Sequence, residues 1–134
     1  MSIYKAYDIR GIYPQELNEE LAKKIAQAYF KLRQKELNKA EITIAVGADM
    51  RISSPSLKKE VIAGLVESGT RVVDIGMVST PTFYFAVANY GYDGGLMVSA
   101  SHNPAQYNGI KTVSYTHLRA HETPEHLVCR LLLE

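Results

Sequence analysis

The stretch "MVSASHNP", Met97 to Pro104, sets Ser101 beside His102 and follows them with Asn103 and a proline; Lys111 comes shortly after. A hydroxyl next to an imidazole has the makings of a hydrolase pair, the first as nucleophile and the second as its base. The surroundings argue against that use. No G-x-S-x-G elbow holds the serine, and side chains adjacent in sequence rarely face each other. Ser and Asn are also common loop residues that bond their own backbone. A second cluster of reactive types sits near the C-terminus. His117, His121, His126 and Cys129 are borderline or soft ligands spaced as for zinc on a helix. Cys129 is the single cysteine, so an internal disulfide is excluded.

These residues need a frame. "ITIAVG" (42–47), "RVVDIG" (71–76) and "GGLMVSAS" (94–101) are short apolar runs of the kind that form buried parallel strands. An earlier short strand runs through "YKAYDIRGIYP", where Pro14 stops extension. Between the strands lie helical patterns. Asn18 caps a segment whose first turn holds Glu19 and Glu20, and Leu21, Ile25, Ala28, Tyr29 and Leu32 recur on one face, which predicts a helix over 19–37. Ser54–Pro55 and Thr80–Pro81 each read as a hydroxyl cap followed by proline in the first turn. Gly69 ends the second helix and the third stops near Gly91. Strands alternating with helices predict an α/β fold with parallel pairing and right-handed crossovers.

In such sheets, ligands gather at the carboxyl ends of the strands. "ADMR" follows Gly47, "MVSTP" follows Gly76 and "SASHNPAQYNGIK" follows Val98. Ser101, His102 and Lys111 thus share one long loop region, with Arg10 and Arg51 as candidate cationic neighbours. The chain of 134 residues is long enough for one ordinary domain, and 46% hydrophobic with 22% charged residues is a globular composition. No apolar run approaches the roughly 20 residues that span a bilayer, and "MSIYKAYDIRG" lacks the pattern of a signal peptide. A cytoplasmic location is expected. A formal charge of +1 gives no reason to expect nucleic acid or a membrane as partner.

Taken together, "AYDIRG", "GADMR", "GMVSTP" and "VSASHNPAQYNGIK", in this order, resemble the first domain of the α-D-phosphohexomutases, the phosphomannomutases and phosphoglucomutases. "AYDIRG" and "YNGIK" favour that branch over the phosphoglucosamine mutases, which more often show "GTDGIRG" and "DNGIK". "GADMR" departs from the usual "GRDxR" by carrying Ala48, which leaves Asp49 and Arg51 in register. The resemblance implies a three-layer α/β/α domain with a mixed, mostly parallel sheet. It implies that Ser101 is carried as a phosphoserine, outside the register of Ser99, and passes its phosphoryl group to a hexose phosphate of mannose or glucose. A bisphosphorylated sugar forms, and its other phosphate returns to the serine. Hexose 1,6-bisphosphate is the implied activator. Mg²⁺ is implied on the Ser101 phosphate, its other ligands coming from a second domain. Lys111 is the implied general acid/base for the sugar hydroxyl. His102 relays a proton or orients that hydroxyl, and Arg10 neutralises phosphate. Tyr7, Arg10, Asn103 and Lys111 are placed at substrate or phosphate. Read by themselves, Asp49 and Tyr7 are structural, Asn103 and Pro104 shape the loop, and the alternatives are that Lys111 is a solvated strand-end lysine and Arg51 a surface ion-pair partner. Family members also need domains 2–4, so no useful mutase turnover is expected from this chain alone.

Beyond Lys111, "VSYTHLRAHETPEHLVCRLLLE" resembles an in-frame translation of a transposase-type sequencing adapter, matching Val113 to Thr123 and Leu127 to Leu133. On that reading residues 1–111 are the natural domain and 112–134 a non-native tail, and the zinc-like spacing has no selected origin. Two rival functions stand beside the mutase: a non-catalytic sugar-phosphate-binding module and a hydrolase acting through Ser101.

Overall fold

Side chains and backbone are described for residues 9–113 of the computed structural model. Tyr7, His117, His121, His126 and Cys129 lie outside them, as does all of the adapter-like tail past Val113. The elements run β1 (Ile9–Ile12), α1 (Glu19–Leu37), β2 (Thr43–Ala48), α2 (Ser54–Glu67), β3 (Arg71–Met77), α3 (Thr80–Asn89), β4 (Gly94–Val98) and β5 (Tyr107–Val113). Helix α1 has the predicted bounds. The Asn18 side chain accepts from Leu21 N at 2.9 Å, and Glu19 and Glu20 meet the positive end of the helix dipole.

The other two helix starts differ from expectation. Ser54 is not a cap: it is the first residue of α2, Ser53 precedes it without a side-chain cap bond, and the Ser54 hydroxyl donates instead to Asp49 Oδ1 at 2.6 Å. Helix α3 is capped by Ser79, one residue before Thr80, through a bond from Thr82 N at 3.3 Å. In both helices proline is tolerated because first-turn N–H groups have no intrahelical partner.

The strand order is β1-β5-β4-β2-β3. Strand β2 pairs parallel with β3 and β4, whereas β5 pairs antiparallel with β4 and β1. The sheet is therefore mixed, with β5 alone running against the rest. This corrects the reading of 99–111 as one loop. The loop ends at Gln106, and Lys111 stands within β5 opposite Met97. Asn108–Gly109 is a strong hairpin-turn signal in sequence, yet here it sits inside a strand because a glycine is needed for close approach. A Cβ at Gly109 would come within 2.6 Å of Ile9 O and 2.8 Å of Ser99 O.

Side chains alternate across the sheet. Ile9, Ile44, Val46, Leu96, Val98 and Ile110 pack under α1 and α2. Ala45, Met97 and Val113 pack with Phe83 and Val87 of α3 on the other face. Gly95 admits the Phe83 ring, since a Cβ there would meet ring carbons at 2.7 and 2.8 Å. The result is an α/β/α domain of three layers. Among the described residues no helix is long and apolar enough to cross a membrane.

Polar side chains pin α1 to the far ends of β4 and β5. The buried Tyr29 hydroxyl donates to Val113 O at 2.7 Å and accepts from Gly95 N at 3.2 Å. Arg33, fully buried, donates through Nε to Asp93 O at 3.0 Å and pairs with Glu36 at 3.1 Å. The Asp93 carboxylate accepts from Thr43 N at 2.7 Å and Lys39 Nζ at 2.8 Å. Burial pushes the Asp93 carboxyl up, but the bonds from Lys39 and Thr43 outweigh it and hold the group below the ordinary aspartate value.

Tyr29→Phe strips a buried N–H and a buried C=O of this partner. A loss of about 1–3 kcal/mol is expected, read as a lower urea midpoint with unchanged slope. Asp93→Asn lowers stability at neutral pH by about 1 kcal/mol. A carboxylate whose folded value is depressed stabilises above its unfolded value and loses that contribution as pH falls through the folded one. The gap in Tm between wild type and variant therefore closes in an acid series below 3.8; a gap that persists there contradicts the charge-based account.

Candidate active-site loop

The Ser101 loop bridges the carboxyl end of β4 to the start of β5, beside the β2–α2 loop. Ser101 is exposed and takes φ +55°, a left-handed conformation that costs a residue with a Cβ roughly 1–2 kcal/mol. Several bonds hold it there. Ser99 is buried, and its Oγ accepts from Ser101 N at 3.0 Å while Ser99 N donates to Gly109 O at 2.9 Å. Asn103 donates twice to Ala100 O, from its backbone N at 3.1 Å and from Nδ2 at 2.7 Å.

The largest share falls to Arg51. Its Nη1 donates to Pro104 O at 2.8 Å and Tyr107 O at 3.0 Å, its Nη2 to Ser101 O at 2.9 Å and Asn103 O at 2.7 Å. Its Nε meets Asp49 Oδ2 at 3.2 Å. Asp49 in turn accepts from Arg51 N at 3.1 Å and Ser54 Oγ at 2.6 Å. Asn108, fully buried, donates through Nδ2 to Ser53 Oγ at 2.7 Å and Ser54 Oγ at 3.0 Å, and its Oδ1 accepts from Gly109 N at 2.8 Å. Arg51 is thus not a surface ion-pair partner but the centre of the loop.

Two other cations approach from the sheet. Arg10 in β1 lies opposite Gly109, and Lys111 stands two residues further along β5, on the face that carries Val113 and α3. Diagonal neighbours of this kind are about 7–8 Å apart, within reach of long side chains. Gly109 leaves room for the Arg10 stem, since a Cβ there would meet Arg10 Cγ at 2.8 Å. Gly109 also touches Ser99, so Arg10 stands at the root of the loop. His102 is exposed. Among the described residues no hydrogen bond joins the Ser101 hydroxyl to the His102 ring, so the hydrolase pair is not assembled.

Ser101, His102 and Asn103 lie in the loop that follows β4, and Arg10 and Lys111 stand in β1 and β5 on the α3 face of the sheet, while Tyr7 falls outside the described residues. Ser99 and Asn108 were not singled out by sequence. Each contacts a group that only folding brings near. For Mg²⁺, a hard cation that takes oxygen ligands, the donor set is thin. Asp49 is engaged by Arg51 and Ser54, and among the described residues no group of three or more His, Cys, Asp or Glu could hold a metal.

A family model described as phosphoglucomutase/phosphomannomutase, alpha/beta/alpha domain I, matches residues 1–132. The chain belongs to this family. A phosphomannomutase of Vibrio cholerae is 44% identical over 113 residues, which is 84% of this chain and 24% of that protein. One from Escherichia coli K12 is likewise 44% identical over 113 residues. A phosphomannomutase of Klebsiella pneumoniae is 45% identical over 113 residues and is covered to 68%. A solved phosphoglucomutase/phosphomannomutase family protein from Burkholderia thailandensis superposes with TM-score 0.83 at 33% identity, over 98% of this chain and 30% of that one. The chain spans about a quarter of the length of the Vibrio and E. coli phosphomannomutases it matches.

In this phosphohexomutase-family domain the left-handed backbone at Ser101 carries a cost in stability that substitution can read. Ser101→Gly removes the hydroxyl and relieves the backbone, whereas Ser101→Ala removes the hydroxyl and keeps the Cβ. The glycine variant is expected to be the more stable of the two by about 1 kcal/mol, measured by thermal unfolding. Equal stability would mean that the positive φ is not imposed by the fold.

Proposed function

We propose that this chain is the phosphoryl-carrying part of a phosphohexomutase, with Ser101 as carrier. The supporting observation is an exposed serine held in a left-handed conformation at the carboxyl end of a strand, with Arg10 and Lys111 on the adjoining sheet face. In the forward step an oxygen of the hexose monophosphate attacks the phosphorus of phosphoserine. The Ser101 Oγ–P bond breaks, the sugar O–P bond forms, and Lys111 takes the proton of the sugar hydroxyl. In the return step the phosphate at the other end of the bisphosphorylated sugar passes back to Ser101, and the released sugar oxygen recovers a proton.

Phosphoryl transfer runs through a loose transition state, so positioning and charge neutralisation supply most of the catalysis. A phosphoserine carries about −1.5 to −2 charges. Arg10 is the cation of this chain assigned to that charge, and Lys111 joins it once it has taken the proton of the sugar hydroxyl. A Mg²⁺ ion bound through the same phosphate would add neutralisation, its further ligands coming from the rest of the parent protein. Sugar recognition belongs to residues beyond this chain, and the isolated chain is assigned no turnover of its own.

A chimera tests this. Residues of this chain up to Val113 replace the matched segment of the E. coli phosphomannomutase, and the product is incubated with glucose 1,6-bisphosphate. Mass spectrometry is expected to find phosphate on Ser101, and Ser101→Ala is expected to lose both the phosphate and mutase activity. A chimera that binds sugar phosphate but is never phosphorylated supports a binding module. Modification of Ser101 by a serine-directed ester probe supports a hydrolase.

A further inference from the structure

A guanidinium has five N–H donors and cannot give up its charge. In Arg51 all five have acceptors: the carboxylate of Asp49 and the carbonyl oxygens of Ser101, Asn103, Pro104 and Tyr107. No donor remains for a phosphate, so this arginine acts on the loop and not on a ligand. Its effect on the neighbouring peptide follows from geometry. The Ser101–His102 bond is trans, and in a trans peptide the C=O and N–H point in opposite directions. The Ser101 carbonyl is directed into Arg51, so the His102 N–H is directed away from it, and both residues are exposed. The same holds for Pro104 O and the Ala105 N–H. Backbone N–H groups presented together in this way make concavities that bind anions.

We propose that Arg51 is a positioning residue: by gathering the carbonyl oxygens of Ser101, Asn103, Pro104 and Tyr107, it turns the His102 N–H outward as a hydrogen-bond donor to the phosphoryl group on Ser101. This rests on the reading of Ser101 as the carrier. Asp49 fixes the guanidinium, and the Ser54 hydroxyl and the Arg51 N–H fix Asp49. The donor is preorganised, because the bonds that aim it are complete before any phosphate arrives. Fixed dipoles aimed at developing charge are the arrangement that lowers barriers to phosphoryl transfer.

Two measurements test it. Phosphoserine is installed at position 101 of the whole chain by genetic encoding, and the amide spectrum is followed by NMR. The His102 amide proton is expected to move downfield relative to the serine form and to follow the second ionisation of the phosphate near about pH 6. In Arg51→Lys, which keeps the charge but not the fork, that shift is expected to vanish. An indifferent His102 amide, or an equal shift in the lysine variant, overturns the proposal. In the chimera, Arg51→Lys is expected to lower kcat about 100-fold with little change in KM, as for a misplaced reacting group. Added methylguanidine is expected to restore part of the rate of Arg51→Ala. A loss confined to KM makes Arg51 a substrate contact and also overturns the proposal. If the lysine variant unfolds, which the dispersion of its amide spectrum reveals, Asp49→Asn takes its place with the same readouts. The NMR arm needs no turnover. An unsubstituted chimera that never carries phosphate on Ser101 therefore overturns the functional reading and is distinguishable from a failed positioning role.

Discussion

Carbonyl oxygens that converge on one point repel unless something positive with several donors stands between them. Three from the Ser101 loop and that of Tyr107 at the start of β5 converge here, and Arg51 is what stands there. The magnitudes favour the arrangement. A hydrogen bond from a charged donor contributes about 1.5–3 kcal/mol, whereas the left-handed conformation of Ser101 costs roughly 1–2 kcal/mol. One or two of the Arg51 bonds are enough to offset that cost. The rest are available to keep the loop in a single shape.

The clamp is anchored from below. Asp49 balances its charge, and Ser54, first in α2, donates to the same carboxylate. Asn108 of β5 reaches across to Ser53 and Ser54. The β2–α2 loop, the Ser101 loop and the start of β5 are therefore tied together by hydrogen bonds, and β5 is the strand that bears Lys111. At the opposite end of the sheet Tyr29 and Arg33 bind the start of β4 and the end of β5 to α1. A serine and a lysine on neighbouring elements are thus held by polar contacts at both ends of a stiff apolar sheet. The proposed transfer would need that stiffness, since small misplacements of reacting groups cost large factors in rate.

What could be read from sequence followed local rules. Helix α1 was legible to the residue because its cap, its acidic first turn and its apolar stripe agree. The strands β2, β3 and β4 were legible as apolar runs. Strand β5 was not, because Asn108–Gly109 carries the signature of a turn, and only the approach of Ile9 and Ser99 shows why a glycine stands there. The caps were misplaced by one residue because Ser53–Ser54 and Ser79–Thr80 each offer two hydroxyls, and the choice between them lies in contacts with Asp49 and Thr82. In the site, Ser101, His102, Arg10 and Lys111 stood out through their motifs. Arg51 was visible, but its partners lie some fifty positions away, and no local pattern reports a bond of that span. Ala48, where the resemblance implies arginine, is buried in the core beside Val98.

Three cations near one serine need not share one task, and their surroundings divide the work. Arg51 is saturated by oxygens of its own chain, so its charge is spent internally and its field at a ligand is opposed by Asp49. Arg10 and Lys111 stand on a sheet face at the root of the loop, half-buried in both cases. The formal charge of the whole chain is only +1, so attraction of a doubly charged phosphate cannot come from a general positive field. It has to come from where individual charges and dipoles are placed. On the proposed reading the loop meets that requirement with one arginine that shapes it, Arg10 and Lys111 on the α3 face of the sheet, and a backbone N–H turned away from the first.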